Sequence, residues 1–192
     1  MSFFKHVAEY DVGELSKQIA NHPELWDAHT VRKTAPNTPH SRMSDIWVRY
    51  NDVDPFEKSG DYRTFNDRHV PIWYPAWTEL PALRPILFDL LAQVEGEMIG
   101  GVLITRIPPG GRIDPHSDKG WHVDYYDKFY VAIHSPKGAR FHDESGEFLE
   151  PSVGSVYRYD NRREHSVTNS GTTDRVTLIV CIRTDKYLGE PR

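Results

Sequence analysis

Residues 157–183 read Y-R-Y-D-N-R-R-E-H-S-V-T-N-S-G-T-T-D-R-V-T-L-I-V-C-I-R, and this tract decides the predicted fold. A charged turn leads into a short β-type segment at 165–169, and a polar turn leads into a longer one at 176–183. β-Branched segments separated by turn residues are typical of antiparallel strands. His165 opens the first segment and Arg175 opens the second. We expect two neighbouring strands that direct both side chains into one barrel mouth.

The same pattern of β-type segments separated by turn residues extends upstream to Met98. Further β-type segments lie at residues 102–107, 129–133, 139–142, 148–149 and 153–159. The turn Pro108-Pro109-Gly110-Gly111 ends the first of them. Many short strands with turn signals between them predict a mainly β fold, a double-stranded β-helix of the jelly-roll or cupin-like type.

The N-terminal half reads as flanking structure. Residues 11–29 predict a short helical segment, 46–50 a strand, and 80–95 an amphipathic helix that begins near Pro85. Residues 51–68 show no clear hydrophobic period and are predicted to form a long loop. We therefore expect a single domain over 1–192, with flanking helices and outer strands in about 1–97 and the jelly-roll core in about 98–185.

Composition narrows the class of protein. The net charge of −5 over 192 residues disfavours general nucleic-acid binding, which needs a basic surface. The single cysteine, Cys181, excludes an intramolecular disulfide and a zinc site built on several cysteines. The N-terminus does not resemble a secretory signal, and no apolar run is long enough to span a membrane. We expect a cytoplasmic protein without membrane contact.

One short motif carries metal-binding potential. His116 and Asp118 lie two positions apart, and on an extended strand such residues share a face. A third ligand from a distant strand would complete a facial triad of two histidines and one carboxylate, which suits non-haem Fe(II). His122 and Asp124 form a second pair of the same pattern. The pattern alone leaves both pairs open, and either one is also compatible with a solvated loop.

Arg175 is a candidate anion anchor. An arginine inside a barrel needs a carboxylate partner, because an unpaired buried charge is costly. Its planar fork matches a carboxylate through two parallel hydrogen bonds, and the distal carboxylate of 2-oxoglutarate fits this description. The alternative is a structural ion pair with an Asp or Glu of the same chain.

Four motifs together carry a family resemblance. The chain has I-P-P-G-G-R-I-D-P-H-S-D at 107–118, F-Y-V-A-I-H-S-P at 129–136, G-S-V-Y-R-Y-D-N at 154–161 and H-S-V-T-N-S-G-T-T-D-R at 165–175. In order and spacing, the stretch from about 100 to 183 resembles the aspartyl/asparaginyl β-hydroxylase family of Fe(II)/2-oxoglutarate-dependent oxygenases. That family has a Pro/Gly turn, H-x-D, an extended strand, a G-x-x-x-x-F-D-N-like segment, and a distal His with an Arg ten positions later.

The resemblance implies a complete active site. It selects the upstream H-x-D pair, so that the implied iron ligands are His116, Asp118 and His165. Arg175 matches the 2-oxoglutarate anchor. Many members carry R-x-H on the strand after the metal motif, where this chain departs from the pattern with Lys128 and Tyr130. We assign these two residues to co-substrate binding.

Substrate-binding candidates lie on both sides of the metal motif. Arg49, in W-V-R-Y, is placed to reach the substrate from the N-terminal half, unless it is a solvent-facing strand residue. Trp121 and His122 follow the metal motif on a predicted loop, as a lid or substrate wall or as ordinary packing.

The implied activity is hydroxylation of an unactivated C–H bond, with Fe(II), 2-oxoglutarate and O2 consumed or bound and succinate and CO2 released. The resemblance points to an amino acid or a peptidyl side chain of the Asp or Asn type as substrate. Two other classes share the barrel: a non-catalytic cupin-like module for a metal or small ligand, and a metal-dependent hydrolase or isomerase. The joint presence of the three metal-ligand candidates and Arg175 favours the oxygenase.

Overall fold

The computed structural model describes residues 3–36, 38–67 and 70–184. Residue 185, where the predicted core ends, lies outside this part. The strands found in it are β1 Phe4–Glu9, β2 Ser44–Asn51, β3 Pro71–Trp73, β4 Gly96–Ile107, β5 Arg112–His116, β6 Asp127–His134, β7 Ala139–Asp143, β8 Phe148–Leu149, β9 Ser155–Tyr159, β10 His165–Asn169 and β11 Arg175–Thr184. The helices are α1 Gly13–Asn21, α2 Val31–Thr34, α3 Asp54–Ser59, α4 Tyr62–Asn66, α5 Ala76–Glu79, α6 Leu83–Gln93 and α7 Trp121–Tyr125.

The strands form two antiparallel sheets. The larger sheet has the order β1-β9-β6-β11-β4-β2-β3, and the smaller one has the order β5-β10-β7-β8. Apart from β7 and β8, which pair within the smaller sheet, sequential strands of the C-terminal half alternate between the two sheets, as in a jelly roll. The predicted mainly β, double-stranded β-helix fold with few flanking helices is therefore confirmed.

The expected neighbourhood of His165 and Arg175 needs correction. β10, which begins at His165, belongs to the smaller sheet, whereas β11, which begins at Arg175, belongs to the larger one. The polar turn between them carries the chain across the barrel instead of closing a hairpin. The two side chains therefore approach one another from opposite walls.

The outer face of the larger sheet is covered by helices. α6 begins at Leu83, slightly before the expected Pro85, and it buries Leu83, Leu87 and Leu90 completely. These side chains pack in one core with apolar residues of β4 and β11 such as Val102. Truncating a leucine in such a core to alanine costs about 2–5 kcal/mol.

The alternation of side chains along β11 separates this core from the barrel interior. Leu178, Val180 and Ile182 lie in the helix-covered core, whereas Arg175 and Thr177 line the cavity between the sheets. Successive residues of a strand point to opposite faces, so one strand serves both layers. Apolar residues from both sheets, among them Ile107, Phe141 and Val167, pack together inside the barrel, and the last two also line the cavity.

The N-terminal half contributes to the same sheet as the core. β1, β2 and β3 extend the larger sheet on its two edges, and the stretch 51–68 includes the two short helices α3 and α4 instead of the predicted long loop. The single-domain organisation stays a prediction, which this shared sheet supports. In the part of the chain that the structure describes, no helix has the length and apolarity that crossing a bilayer requires.

Candidate active site

A tight turn positions the first metal-ligand candidate. After β4, the chain reverses at Gly110, whose φ of 72° favours glycine, and enters the smaller sheet. The N–H of Gly110 donates to the carbonyl of Asn169 at 2.8 Å, and the N–H of Asn169 donates to the carbonyl of Gly111 at 2.9 Å. This clamp sets the register of β5 against β10, and His116 then lies directly opposite His165.

Asp118 reaches the same point without the strand geometry expected for it. β5 ends at His116, and Asp118 follows in a non-strand segment whose N–H donates to the carbonyl of Asn161 at 2.9 Å. One ligand atom each from His116, Asp118 and His165 lies within 4.8 Å of the others. This is the one such His/carboxylate group among the residues described, and it does not include His122 or Asp124.

Both imidazoles are held in the tautomer that a metal needs. The Nδ1 of His116 lies 2.8 Å from the carbonyl oxygen of Asp114, and the Nδ1 of His165 lies 2.9 Å from that of Arg163. A carbonyl only accepts, so each Nδ1 carries the proton and each Nε2 presents a lone pair. Backbone carbonyls that orient ligating histidines in this way are a common feature of metal sites. The donor set therefore fits Fe(II).

The carboxylate of Asp118 is held on one side and open on the other. Its Oδ2 accepts hydrogen bonds from the Lys128 ammonium and from the Asn161 amide, the latter at 2.9 Å. Its Oδ1 lies 3.8 Å from Nε2 of His116. Burial alone would raise the pKa of Asp118, but the Lys128 charge and these hydrogen bonds outweigh it and hold the pKa well below its usual range. Asp118 is therefore an anion ready to bind a cation through Oδ1.

His165 is buried more deeply than its partner. It is 5% exposed, and this burial lowers its pKa to about 4, against the opposing influence of its bond to Arg163 and of nearby Asp118. A neutral imidazole is the form that ligates a metal. His165 is therefore available as a ligand at neutral pH.

Arg175 lies on the opposite wall and has unused hydrogen-bonding capacity. It is 2% exposed, and its Nη2 donates to the Tyr130 hydroxyl at 2.7 Å. Its Nε and the nearby Thr177 hydroxyl are buried without a hydrogen-bond partner. Within the described residues Arg175 forms no ion pair, so the structural-ion-pair alternative finds no support. A buried guanidinium in this state fits an external carboxylate.

These groups face one cavity. It lies between the two sheets. Six of the residues singled out from the sequence line it, namely His116, Asp118, Lys128, Tyr130, His165 and Arg175. The sequence analysis assigned Lys128 to co-substrate binding, but in the structure its ammonium contacts Asp118 directly.

The three residues predicted to bind substrate lie in three different environments. His122 lines a neighbouring chamber that shares Asp118 and Lys128 with the first cavity. Trp121 lies on α7 instead of a loop, is half-exposed, and donates from its indole N–H to the carbonyl of Asp67 at 3.2 Å. Arg49 lines neither cavity, because its Nε donates to the carbonyl of Ile99 and its guanidinium lies 5.0 Å from the ring of Trp73.

Three site residues escaped the sequence reasoning. Asn161, which holds Asp118, belongs to the quoted D-N motif and was therefore within reach of a motif argument. Arg32 and His40 line both cavities but come from the N-terminal half, where no motif or periodicity marks them. They reach the site only because the segment around α2 folds over the barrel mouth.

Comparison with solved structures agrees on the fold. A prolyl hydroxylase from Trichoplax adhaerens, in complex with a hypoxia-inducible-factor peptide fragment, has a TM-score of 0.60 and 11% identity over 98% of this chain and 88% of its own. A 2OG-Fe(II) oxygenase family oxidoreductase from Burkholderia pseudomallei has a TM-score of 0.54 and 16% identity over 92% and 91%. A viral collagen prolyl hydroxylase from Paramecium bursaria Chlorella virus-1 has a TM-score of 0.52 and 10% identity over 95% and 96%.

Sequence comparison identifies the family. A search of curated proteins finds no match. The family model described as aspartyl/asparaginyl beta-hydroxylase matches residues 57–184, well over half of the chain, and includes every candidate metal ligand and Arg175. The resemblance seen in the four motifs is therefore confirmed. The chain belongs to the aspartyl/asparaginyl β-hydroxylase family and is an oxygenase that uses Fe(II), 2-oxoglutarate and O2.

Proposed function

We propose that this enzyme hydroxylates an unactivated C–H bond of an amino acid or of a peptidyl side chain of the Asp or Asn type, with release of succinate and CO2. The observation that carries the proposal is the convergence of His116, Asp118 and His165 on one wall of a cavity whose opposite wall presents the unpaired Arg175. The family description supports an Asp or Asn side chain. The peptide bound to the Trichoplax prolyl hydroxylase shows that this fold admits peptides in that protein.

In this proposal the two histidines would hold Fe(II) through Nε2 and Asp118 would hold it through Oδ1. When bound, iron and 2-oxoglutarate would supply the oxidising chemistry, with one atom of O2 going to the substrate C–H bond, the other to succinate, and CO2 released. Lys128 and Asn161 keep Oδ2 of Asp118 engaged, which leaves a single oxygen for the metal. Lys128 thus acts on the carboxylate instead of directly on the co-substrate.

Arg175 binds the distal carboxylate of 2-oxoglutarate through a charge-assisted pair. The Tyr130 hydroxyl orients the guanidinium by accepting a hydrogen bond from it. The Thr177 hydroxyl, which is buried without a partner in the described structure, supplies a further donor. Apolar walls such as Phe141 and Val167 exclude water and strengthen these interactions. The chain's own residues therefore bind, orient and desolvate the reactants.

An anaerobic absorption titration tests the proposal. Wild-type protein is expected to show a weak visible charge-transfer band only when Fe(II) and 2-oxoglutarate are both present. Asp118→Ala should lose metal binding and the band, whereas Arg175→Met should retain metal binding and lose the band at moderate 2-oxoglutarate. Asp124→Ala, from the second H-x-D pair, is the matched control and should keep both.

A wild-type protein that binds Fe(II) without the band would overturn the proposal, as would an Asp118→Ala variant with full turnover. The family is one of hydroxylases, which disfavours the binding-module and hydrolase alternatives. The cytoplasmic setting stays a prediction from the sequence.

A further inference from the structure

A second chamber adjoins the cavity of the proposed active site. It shares Arg32, His40, Asp118 and Lys128 with that cavity. Lys119 and His122, which follow the metal motif, line it in addition. A molecule in this chamber would contact Asp118 but not Arg175, which does not line it.

The chamber has an excess of basic residues. Arg32, Lys119 and Lys128 line it against one carboxylate, Asp118. Arg32 also pairs with the buried Asp45 at 3.0 Å. When Fe(II) and the 2-oxoglutarate dianion are bound, their charges cancel. Lys119 is exposed, whereas Arg32, Lys128 and Arg175 are at least partly buried. The latter three then face two carboxylates, Asp118 and Asp45, so one negatively charged substrate group would restore the balance that a buried site requires.

His40 adds a directed donor. Its Nε2 lies 3.2 Å from Nη2 of Arg32, and because arginine only donates, His40 must accept there and carry its proton on Nδ1. That Nδ1 is buried, and the described residues offer it no hydrogen-bond partner. The ring packs edge-on against that of His116, with 5.4 Å between the ring centroids, so His40 lies beside a metal-ligand candidate. A buried donor without an acceptor destabilises the free protein, and a ligand oxygen removes this cost.

The Arg32–His40 pair is rigid before any ligand binds. Nη1 of Arg32 donates to Asp45 at 3.0 Å while Nη2 donates to His40, so the guanidinium is fixed between two partners. Asp45 is 1% exposed and is held in turn by the indole N–H of Trp47 at 3.1 Å. A donor that is oriented in advance loses little entropy on binding, which increases affinity and selectivity.

We propose that this chamber binds an anionic group of the substrate, a carboxylate, and that His40 and Lys119 are its specificity-determining residues. The inference rests on the proposed function and narrows it, since it selects an acidic substrate over its neutral amide. His40 donates through Nδ1–H, and Lys119 supplies the compensating charge. Arg32 acts through His40 and is a positioning residue.

Calorimetric titration of the anaerobic protein loaded with Fe(II) and 2-oxoglutarate tests this. Two matched probe pairs differ in charge but not in shape: acetylated and amidated Gly-Asp-Gly against Gly-Asn-Gly, and free L-aspartate against its diamide. In at least one pair the charged member should bind about tenfold more tightly, the usual difference for a charge-assisted hydrogen bond. The absorption band of the loaded protein is recorded first, and its absence would count against the proposed function instead.

Two variants identify the residues responsible. His40→Phe keeps the edge-on ring contact with His116 but removes the donor, and Lys119→Ala removes a charge from an exposed position where folding is not at stake. Both should lose the preference for the charged probe while their 2-oxoglutarate affinity stays at the wild-type value. Lys137→Ala, an exposed lysine outside both cavities, is the control and should behave as wild type.

The inference would be overturned by equal binding of both members in both pairs, by binding of neither pair to a protein that shows the band, or by an unchanged preference in either variant. A loss of 2-oxoglutarate affinity in His40→Phe would assign the residue to the co-substrate and would also overturn it.

Discussion

The Tyr130 hydroxyl accepts a hydrogen bond from Nη2 of Arg175 across 2.7 Å, and the Tyr130 ring lies 5.0 Å from the guanidinium carbon. The two residues come from adjacent strands of the larger sheet, β6 and β11. Tyr130 occupies the last position of the K-x-Y sequence that replaces the R-x-H pair of many relatives. Tyr130 therefore gives the Arg175 guanidinium a neutral hydrogen-bond acceptor at this position.

Tyr130→Phe should weaken 2-oxoglutarate binding by about tenfold, because it removes a hydrogen bond to a charged group and keeps the ring. The affinity for Fe(II) or Co(II) should not change, since Tyr130 is not bonded to a metal-ligand candidate. Anaerobic titration of the absorption band measures the first quantity, and metal titration measures the second. Tyr157→Phe, on β9 and outside the cavity, is the control. Wild-type co-substrate affinity in Tyr130→Phe would show that the support is dispensable.

Arg175→Met should stabilise the ligand-free protein, because Arg175 is a buried charge without an acidic partner in the described structure. The free energy of unfolding in denaturant should rise by about 1 kcal/mol or more, as when buried charges are replaced by apolar groups. 2-Oxoglutarate should then no longer raise the Tm of the metal-loaded protein.

Arg140→Met is the comparison for that change. Arg140 is ion-paired with Glu150 at 2.7 Å on the surface, so its replacement should bring no gain in stability. A ligand-free Arg175→Met protein less stable than wild type would contradict the idea that Arg175 is held at a cost for function.

Lys128→Met should increase the affinity for a divalent metal by about tenfold, because the Lys128 ammonium competes for Asp118 and repels the incoming cation. Burial alone would lower the pKa of Lys128, but Asp118 raises it, so the side chain is charged at neutral pH. Competition with a chelator for Co(II) measures the affinity, with Lys137→Met as the control. Weaker metal binding in Lys128→Met would mean that the lysine organises the carboxylate more than it opposes the metal.

Asn161→Ala should weaken metal binding by about 10- to 100-fold, the usual effect of removing a residue that orients a ligand. The carbonyl of residue 161 would still accept from the N–H of Asp118, so the turn is expected to persist. Asn161→Asp should be more damaging, since it places a second carboxylate 2.9 Å from Oδ2 of Asp118. The Co(II) competition assay applies here too, and equal affinities in all three proteins would refute the role.

Much of the C-terminal half was predictable because its information is local. The predicted segments at 102–107, 129–133 and 165–169 lie inside β4, β6 and β10. β-Branched runs bounded by Gly, Pro and Asn specify strands over a few residues, whatever lies elsewhere in the chain. The motif spacing likewise pointed to the three residues that the structure brings within one metal-binding distance.

The errors arose where a conclusion depended on pairing between distant segments. His165 and Arg175 are ten positions apart, yet they belong to opposite sheets because the intervening turn crosses the barrel. Asp118 reaches the site from an irregular segment whose N–H bonds to the carbonyl of Asn161, not from the extended strand assumed for it. Spacing along the chain does not indicate which strands become neighbours in a sheet.

The sequence by itself determined the mainly β architecture and the chemical types at the site, because alternation, turn residues and motif order are properties of short windows. Only the tertiary structure decided which groups engage one another. It placed Lys128 on Asp118, gave Tyr130 to Arg175, and brought Arg32 and His40 over the barrel mouth. The physical reason is that these contacts depend on sheet order and on the packing of the N-terminal segment, which are settled by the burial of the whole core at once.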